Sequence, residues 1–151
     1  MKIQNLERFN AKLKKLPKEA REEMRKAVAA SAEEIVNLQK KLVPIDQGDL
    51  QMSITWRWGT EQRIAYSQDF GQVQGGHELS AVISAGNSRV RYAHLVEFGA
   101  APHTAGGKFE GAHHPGAPAQ PFFYAGWRSG KRRAKRRINS AIRKAAKKAV
   151  G

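Results

Sequence analysis

Apolar residues recur every three or four places along the first forty residues. Ile3, Leu6, Phe9 or Asn10, Leu13 and Leu16 take such steps, so residues 2–16 predict an amphipathic helix. Pro17 suits the first turn of a second helix, where its missing N–H costs nothing. From Lys18 to Leu42 the seam runs through Met24, Val28, Ser31, Ile35, Leu38 and Leu42, alternating four and three like a heptad. Such a helix packs on a sheet and has flanks to offer a neighbouring subunit. It should stop near Val43, because Pro44 disfavours helical geometry in the residue before it. "VPIDQGDL" then reads as a turn, with Asp46 for side-chain capping and Gly48 for free φ.

The period then drops to two. Ile54, Trp56 and Trp58 alternate with Thr55 and Arg57, which predicts a strand with one apolar face. "QRIAYS" and "HELSAVISAG" predict two more strands, with Leu79, Ala81 and Ile83 on one side of the second; "QDFGQVQGG" between them is a polar loop. "SRVRYAHLVEFG" begins as a strand through Val90 and Tyr92, then becomes a short helix capped by Gly99. Residues 99–121 show no period and are rich in Gly, Ala, Pro and His, which predicts a long loop. Loops of that length are usually functional or disordered. "FFYAGW" brings the chain back to the body. Residues 129–150 predict a last helix, with Ala134, Ile138, Ala141, Ile142, Ala145 and Ala149 on a narrow stripe of small and apolar residues.

Charge changes the picture of that last helix. The chain has 27 basic and 13 acidic residues, a formal +14. Residues 1–127 hold 16 basic and 13 acidic residues, and residues 128–151 hold 11 basic and none acidic. The excess is therefore a cationic tail on a nearly neutral body. Lys131, Arg132, Arg133, Lys135, Arg136, Arg137, Arg143, Lys144, Lys147 and Lys148 are its candidate contacts to nucleic acid or an acidic partner. The arrangement fits phosphates without sequence preference, since few polar base-reading side chains accompany it.

Catalytic chemistry finds little support. There is no cysteine, which excludes disulfides, thiolate zinc sites and cysteine nucleophiles. His94 and Glu97 are three apart, but the second histidine of a helical zinc pair is absent. A site drawn from His94, Glu97, His103 and His113 would rest on a loop. Asp46 and Asp49 have no visible partner pocket. "FGQVQGG" and "TAGGKFEG" are glycine-rich, yet the second lacks the G-K-[ST] ending of a phosphate loop. No catalytic, metal or cofactor residue is assigned, and no enzyme is expected. No apolar run approaches the roughly 18 residues of a membrane span, and "MKIQNLERFN" lacks the apolar core of a signal peptide.

Three fragments in order carry a resemblance: Pro44, Asp46, Gly48, Leu50 and Ser53; Tyr92, Ala93, Val96, Glu97, Phe98 and Gly99; Pro118, Ala119, Gln120, Pro121 and Phe122. With the flanking helices they resemble the neck proteins of long-tailed bacteriophages, the head–tail connector and tail-completion family of lambda-like phages. Gln47 stands where that family often has Thr, and both the loop after Gly99 and the basic tail are heavier. The resemblance implies a structural virion protein that forms a homo-oligomeric ring, hexameric by preference, between the DNA-filled head and the tail. Its partners would be other neck, portal-side or tail proteins, and its place the virion, after assembly in the host cytoplasm. It also implies that the motif residues are framework and that Glu97 caps backbone or forms a salt bridge. The alternative function is a non-specific nucleic-acid-binding protein acting through the basic helix.

The fold expected is α+β in one domain over residues 1–151. A helical part (1–43) precedes a small, mostly antiparallel sheet of about four strands (44–98). An assembly loop (99–121) and an aromatic segment with the basic C-terminal helix (122–151) follow.

Overall fold

The computed structural model describes Glu7, Ala11 and residues 14–69 and 77–150, with side chains through Lys148. The helix expected over residues 2–16 and the loop over residues 70–76 lie mostly outside the described residues, as does the Ala149 side chain.

Helix α1 spans Lys18–Leu42, 25 residues, with Pro17 at its N-cap. Its buried positions are Ala20, Met24, Val28, Ser31, Ala32, Ile35, Val36 and Gln39. The seam therefore follows the sequence expectation to Ile35 and then shifts. Gln39 is fully buried while Leu42 is half-exposed. A four-residue stride carries the stripe round to Gln39 and on to Val43, and the Gln39 Nε2 donates to the Phe123 carbonyl at 3.0 Å. Val43 is extended, with ψ 135°, just before Pro44.

Gly48 takes φ +86° and opens a short helix, α2, over Asp49–Ser53. The expected turn is thus followed by a helical turn before β1, Thr55–Trp58. Strand β1 pairs antiparallel with β2, Ala81–Ser84, with Thr55 opposite Ser84 and Trp58 opposite Ala81. No strand forms at "QRIAYS"; only Gln68 bridges to Ala85. Residues 88–92 are not a strand either, because the Asn87 side chain accepts from the Arg89 and Val90 N–H groups and turns the backbone instead. Helix α3 follows at Ala93–Phe98, capped by Gly99 at φ +76°.

The segment 99–121 is not a featureless loop. It contains a hairpin, β3 at His103–Thr104 and β4 at His113–His114, extended by a bridge between Ala100 and Ala117. Its strands are two residues long, too short to give a two-residue period in sequence. The fold remains α+β, with two two-stranded antiparallel sheets among the described residues.

Helix α4 spans Phe123–Val150, 28 residues, and starts six residues before the sequence pattern suggested. It lies antiparallel along α1: Gln39 meets Phe123, Glu34 meets Arg133 and Arg137, and Ala145 clusters with Ala20 and Met24. Gly126 and Gly130 permit this approach. A Cβ on Gly126 would sit 2.5 Å from Gln39 Cγ and 3.0 Å from Gln39 N, and one on Gly130 would sit 2.8 Å from Ile35 Cγ1. The main core joins Val36, Val43, Leu50, Ile54, Ala85, Val90, Ala93, Phe122 and Phe123. It sits where both long helices meet the motif segments.

Trp56 and Trp58 share a face of β1, in edge contact at 5.1 Å. Trp56 Nε1 donates to Glu33 and the Arg25 guanidinium lies over Trp58, so this face turns toward α1. The opposite face is covered as well. Arg57 is buried and pairs with Asp69 at 3.1 Å, a contact that the alternation of residues 54–58 does not reveal.

Candidate assembly surfaces

The three motif fragments converge on one end of the molecule. Glu97 is 3% exposed. Its Oε2 accepts the Phe122 and Phe123 N–H groups, each at 2.8 Å, and its Oε1 accepts the Tyr124 N–H at 3.1 Å. These are the unpaired donors at the start of α4. A carboxylate there also meets the positive end of the helix dipole. Glu97 therefore starts the long helix from a distance of 25 residues in sequence. Of the two roles expected for it, backbone capping is the one it plays.

Gly99 lets the strap 117–120 lie close. A Cβ there would be 2.8 Å from both the Ala117 carbonyl and the Ala119 nitrogen. The Gln120 N–H donates to the Val96 carbonyl at 2.8 Å, which locks the strap onto α3. Phe122 is fully buried, whereas Pro118 and Pro121 are exposed beside it. Phe98 is exposed and meets Tyr124 at 6.2 Å between ring centres.

The turn fragment joins the same end. Leu50 enters the core. Ser53 Oγ donates to the Leu50 carbonyl at 2.7 Å and accepts the Gly86 N–H at 3.0 Å, tying α2 to the end of β2. Pro44, Asp46, Gly48 and Leu50 line a cavity of about 220 Å³ whose far wall is Tyr92 and Val96. Asp46 makes no side-chain hydrogen bond among the described residues, so the expected cap is not formed; no side chain caps α2. Ile45, Tyr92, Leu95 and Phe98 are exposed apolar residues on this end.

The hairpin leaves from this junction. Ala100 and Ala117 exchange backbone hydrogen bonds of 2.9 Å at its base. Beyond them, residues 101–104 and 106–115 are exposed. His103 and His114 stack across the hairpin at 4.9 Å. His94 is exposed on α3, and Glu97 is committed to helix N–H groups. Among the described residues, no three of His, Asp or Glu come together to hold a metal ion.

Basic residues of α4 from Lys131 onward divide into two sets. Arg133 and Arg137 reach Glu34 at 2.6 and 2.7 Å. The hydrogen bond from Arg137, helped by the charge of Arg133, holds the Glu34 carboxyl below its ordinary value. That contribution to stability is present above the ordinary carboxylate pKa and is lost as pH falls through the lowered one. Lys131, Arg132, Lys135, Arg136, Arg143, Lys144, Lys147 and Lys148 are exposed and make no ion pair among the described residues. At 100° per residue, Arg132, Arg136, Arg143 and Lys147 fall opposite Ala134, on the outer face of the helix.

A second cavity, of about 720 Å³, opens between α1, β2 and α4. Val28, Ile35, Leu79, Ile83, Trp127 and Ile138 contribute its apolar wall, Lys131 and Lys135 stand on its α4 side, and Arg132, the first of the outer row, reaches its rim. Leu79, Ala81 and Ile83 share this cavity, as the alternation in their strand predicted.

Residues 7–99 match the model of a family described as "Bacteriophage HK97-gp10, putative tail-component". The chain belongs to this HK97-gp10-like family. The match covers α1, the turn fragment, β1, β2 and α3, and ends at Gly99, the residue against which the strap packs. The hairpin and α4 lie outside it. No curated protein and no solved structure matched the chain. Membership in a family of phage tail components agrees with the phage resemblance of the motifs, and it is a structural family rather than an enzyme family. Among the described residues, no helix is long and apolar enough to cross a membrane.

Proposed function

We propose that this HK97-gp10-like protein is a structural virion protein of the head–tail junction, closing into a homo-oligomeric ring that is six-fold by preference. Its assembly partners are portal-side, neck or tail proteins, and it is built in the host cytoplasm before entering the virion. The observation that carries this reading is the arm over residues 100–117. It is anchored by a two-bond bridge at Ala100 and Ala117 and exposed along nearly all its length. Exposed arms and a separate apolar groove are unlike surfaces, and contacts between unlike surfaces are those that close rings. Light scattering over a concentration series tests it. A discrete species at six times the 16.8 kDa chain mass supports the ring. A chain that stays monomeric alone and with portal-side and tail-end partners sinks it.

One observation favours a second reading, non-specific contact with nucleic acid. The row Arg132, Arg136, Arg143 and Lys147 runs about 22 Å along the outer face of α4 and makes no ion pair among the described residues. The two readings meet if that face lines a DNA channel.

A further inference from the structure

We infer that the hairpin tip of one subunit, Phe109 with Glu110, seats in the groove between α1, β2 and α4 of a second copy. This rests on the ring reading and names the contact that would build the ring.

The tip is made for a partner it lacks among the described residues. Phe109 is 73% exposed at the end of the arm. A Cβ added to Gly106, Gly107 or Gly111 would meet nothing within 4 Å, so the tip stands in open space. Two strands of two residues each do not hold a hairpin by themselves. A large apolar side chain at such a tip gains its burial only by docking elsewhere.

The groove is the complementary surface. Small residues on both helices, Ala32 on α1 and Ala134 on α4, leave its floor open, and its volume of about 720 Å³ exceeds what one phenyl ring fills. It can therefore take the tip rather than a single side chain.

Charge fixes the orientation. Glu110 is the one carboxylate after Glu97 in the sequence, and it makes no ion pair among the described residues. The groove presents Lys131 and Lys135, with Arg132 at its rim, and none of the three makes an ion pair among the described residues. Phe109 and Glu110 are neighbours, as are the apolar wall and the three cations. Lys108 precedes Phe109, so the pairing is set by position and not by the net charge of the tip. Tip and groove are different parts of one surface, so each subunit gives one and receives one. That is a heterologous contact, able to run round a ring.

Because the chain has no cysteine, the contact can be tested by pairing introduced ones. Lys108→Cys stands beside the tip and leaves Phe109 and Glu110 in place. Asn139→Cys stands on the exposed edge of the groove. Mixing the two full-length variants at the concentration where wild type assembles should give a mixed disulfide between chains, in several-fold excess over either variant alone. Phe109→Ser should weaken self-association about tenfold or more, as loss of an aromatic anchor does. Glu110→Lys should weaken it several-fold, and Lys131→Glu with Lys135→Glu should restore it.

A ring that forms without the mixed disulfide, or that is indifferent to Phe109→Ser, overturns this contact and leaves the ring reading standing. When one chain carries both Lys108→Cys and Asn139→Cys, a disulfide forming within that chain also overturns it, since the tip would then occupy its own groove. A wild-type chain monomeric at every concentration, alone and with portal-side and tail-end partners, removes the ring reading, and this contact with it.

Discussion

Glu97 illustrates how much one buried side chain can organise. Its two oxygens satisfy three backbone donors at the start of α4. Two of those donors, on Phe122 and Phe123, are buried. Glu97→Ala leaves them unpaired and should cost about 2–4 kcal/mol, combining the loss of a helix cap with buried unsatisfied donors. Glu97→Gln keeps one acceptor oxygen and should cost less. Urea melts of both variants check the order; an alanine variant as stable as wild type would refute the capping role. The sequence made Glu97 conspicuous within "VEFG" but left capping and salt bridging both open. Its partners lie 25 to 27 residues away, beyond any local spacing rule.

At the scale of elements, the two long helices are joined by small residues rather than by a leucine seam. Gly126 faces Gln39, and Gly130 faces Ile35. Replacing a helix glycine by alanine normally gains about 1 kcal/mol in propensity. Overpacking a close contact costs about 1–3 kcal/mol. At Gly126 the new methyl would press on the Gln39 backbone as well as its side chain, and Gln39 is fixed by its bond to Phe123. The second effect should win, so Gly126→Ala lowers the melting temperature; a rise would show that α1 and α4 can move apart freely. The pattern along α4 gave its stripe of small and apolar residues, and Ala134 and Ala145 are indeed buried. The early start at Phe123 was not legible, because aromatic residues mixed with Gly126 read as a docking segment. The hairpin was hidden for a related reason: its strands are too short for alternation, and Gly116 at φ +80° matters only because Ala100 lies against it.

Over the whole molecule, charge and shape are set by different levels of organisation. If the outer row of α4 meets phosphates, replacing Arg132, Arg136, Arg143 and Lys147 by serine should lower the salt slope of duplex binding by about 3–4, near 0.9 per contact. Fluorescence anisotropy at several salt concentrations measures this, and an unchanged slope would assign those residues to another partner. The asymmetry itself was plain in the sequence, since it needs only a count of residues 128–151. So were the stop of α1 at Pro44 and the apolar face of β1, because a proline ring and a two-residue period act through local sterics. The α+β class followed from the same periods. Tertiary structure alone decided that Arg133 and Arg137 commit their charge to Glu34 while the other eight cations from Lys131 onward make no ion pair among the described residues. It alone covered the polar face of β1 with the Arg57–Asp69 pair, gathered the three motif fragments round Glu97, and left an apolar groove between α1, β2 and α4. Each of these depends on which segments distant in sequence become neighbours, and that is settled by packing the whole core at once rather than by the preference of any one stretch.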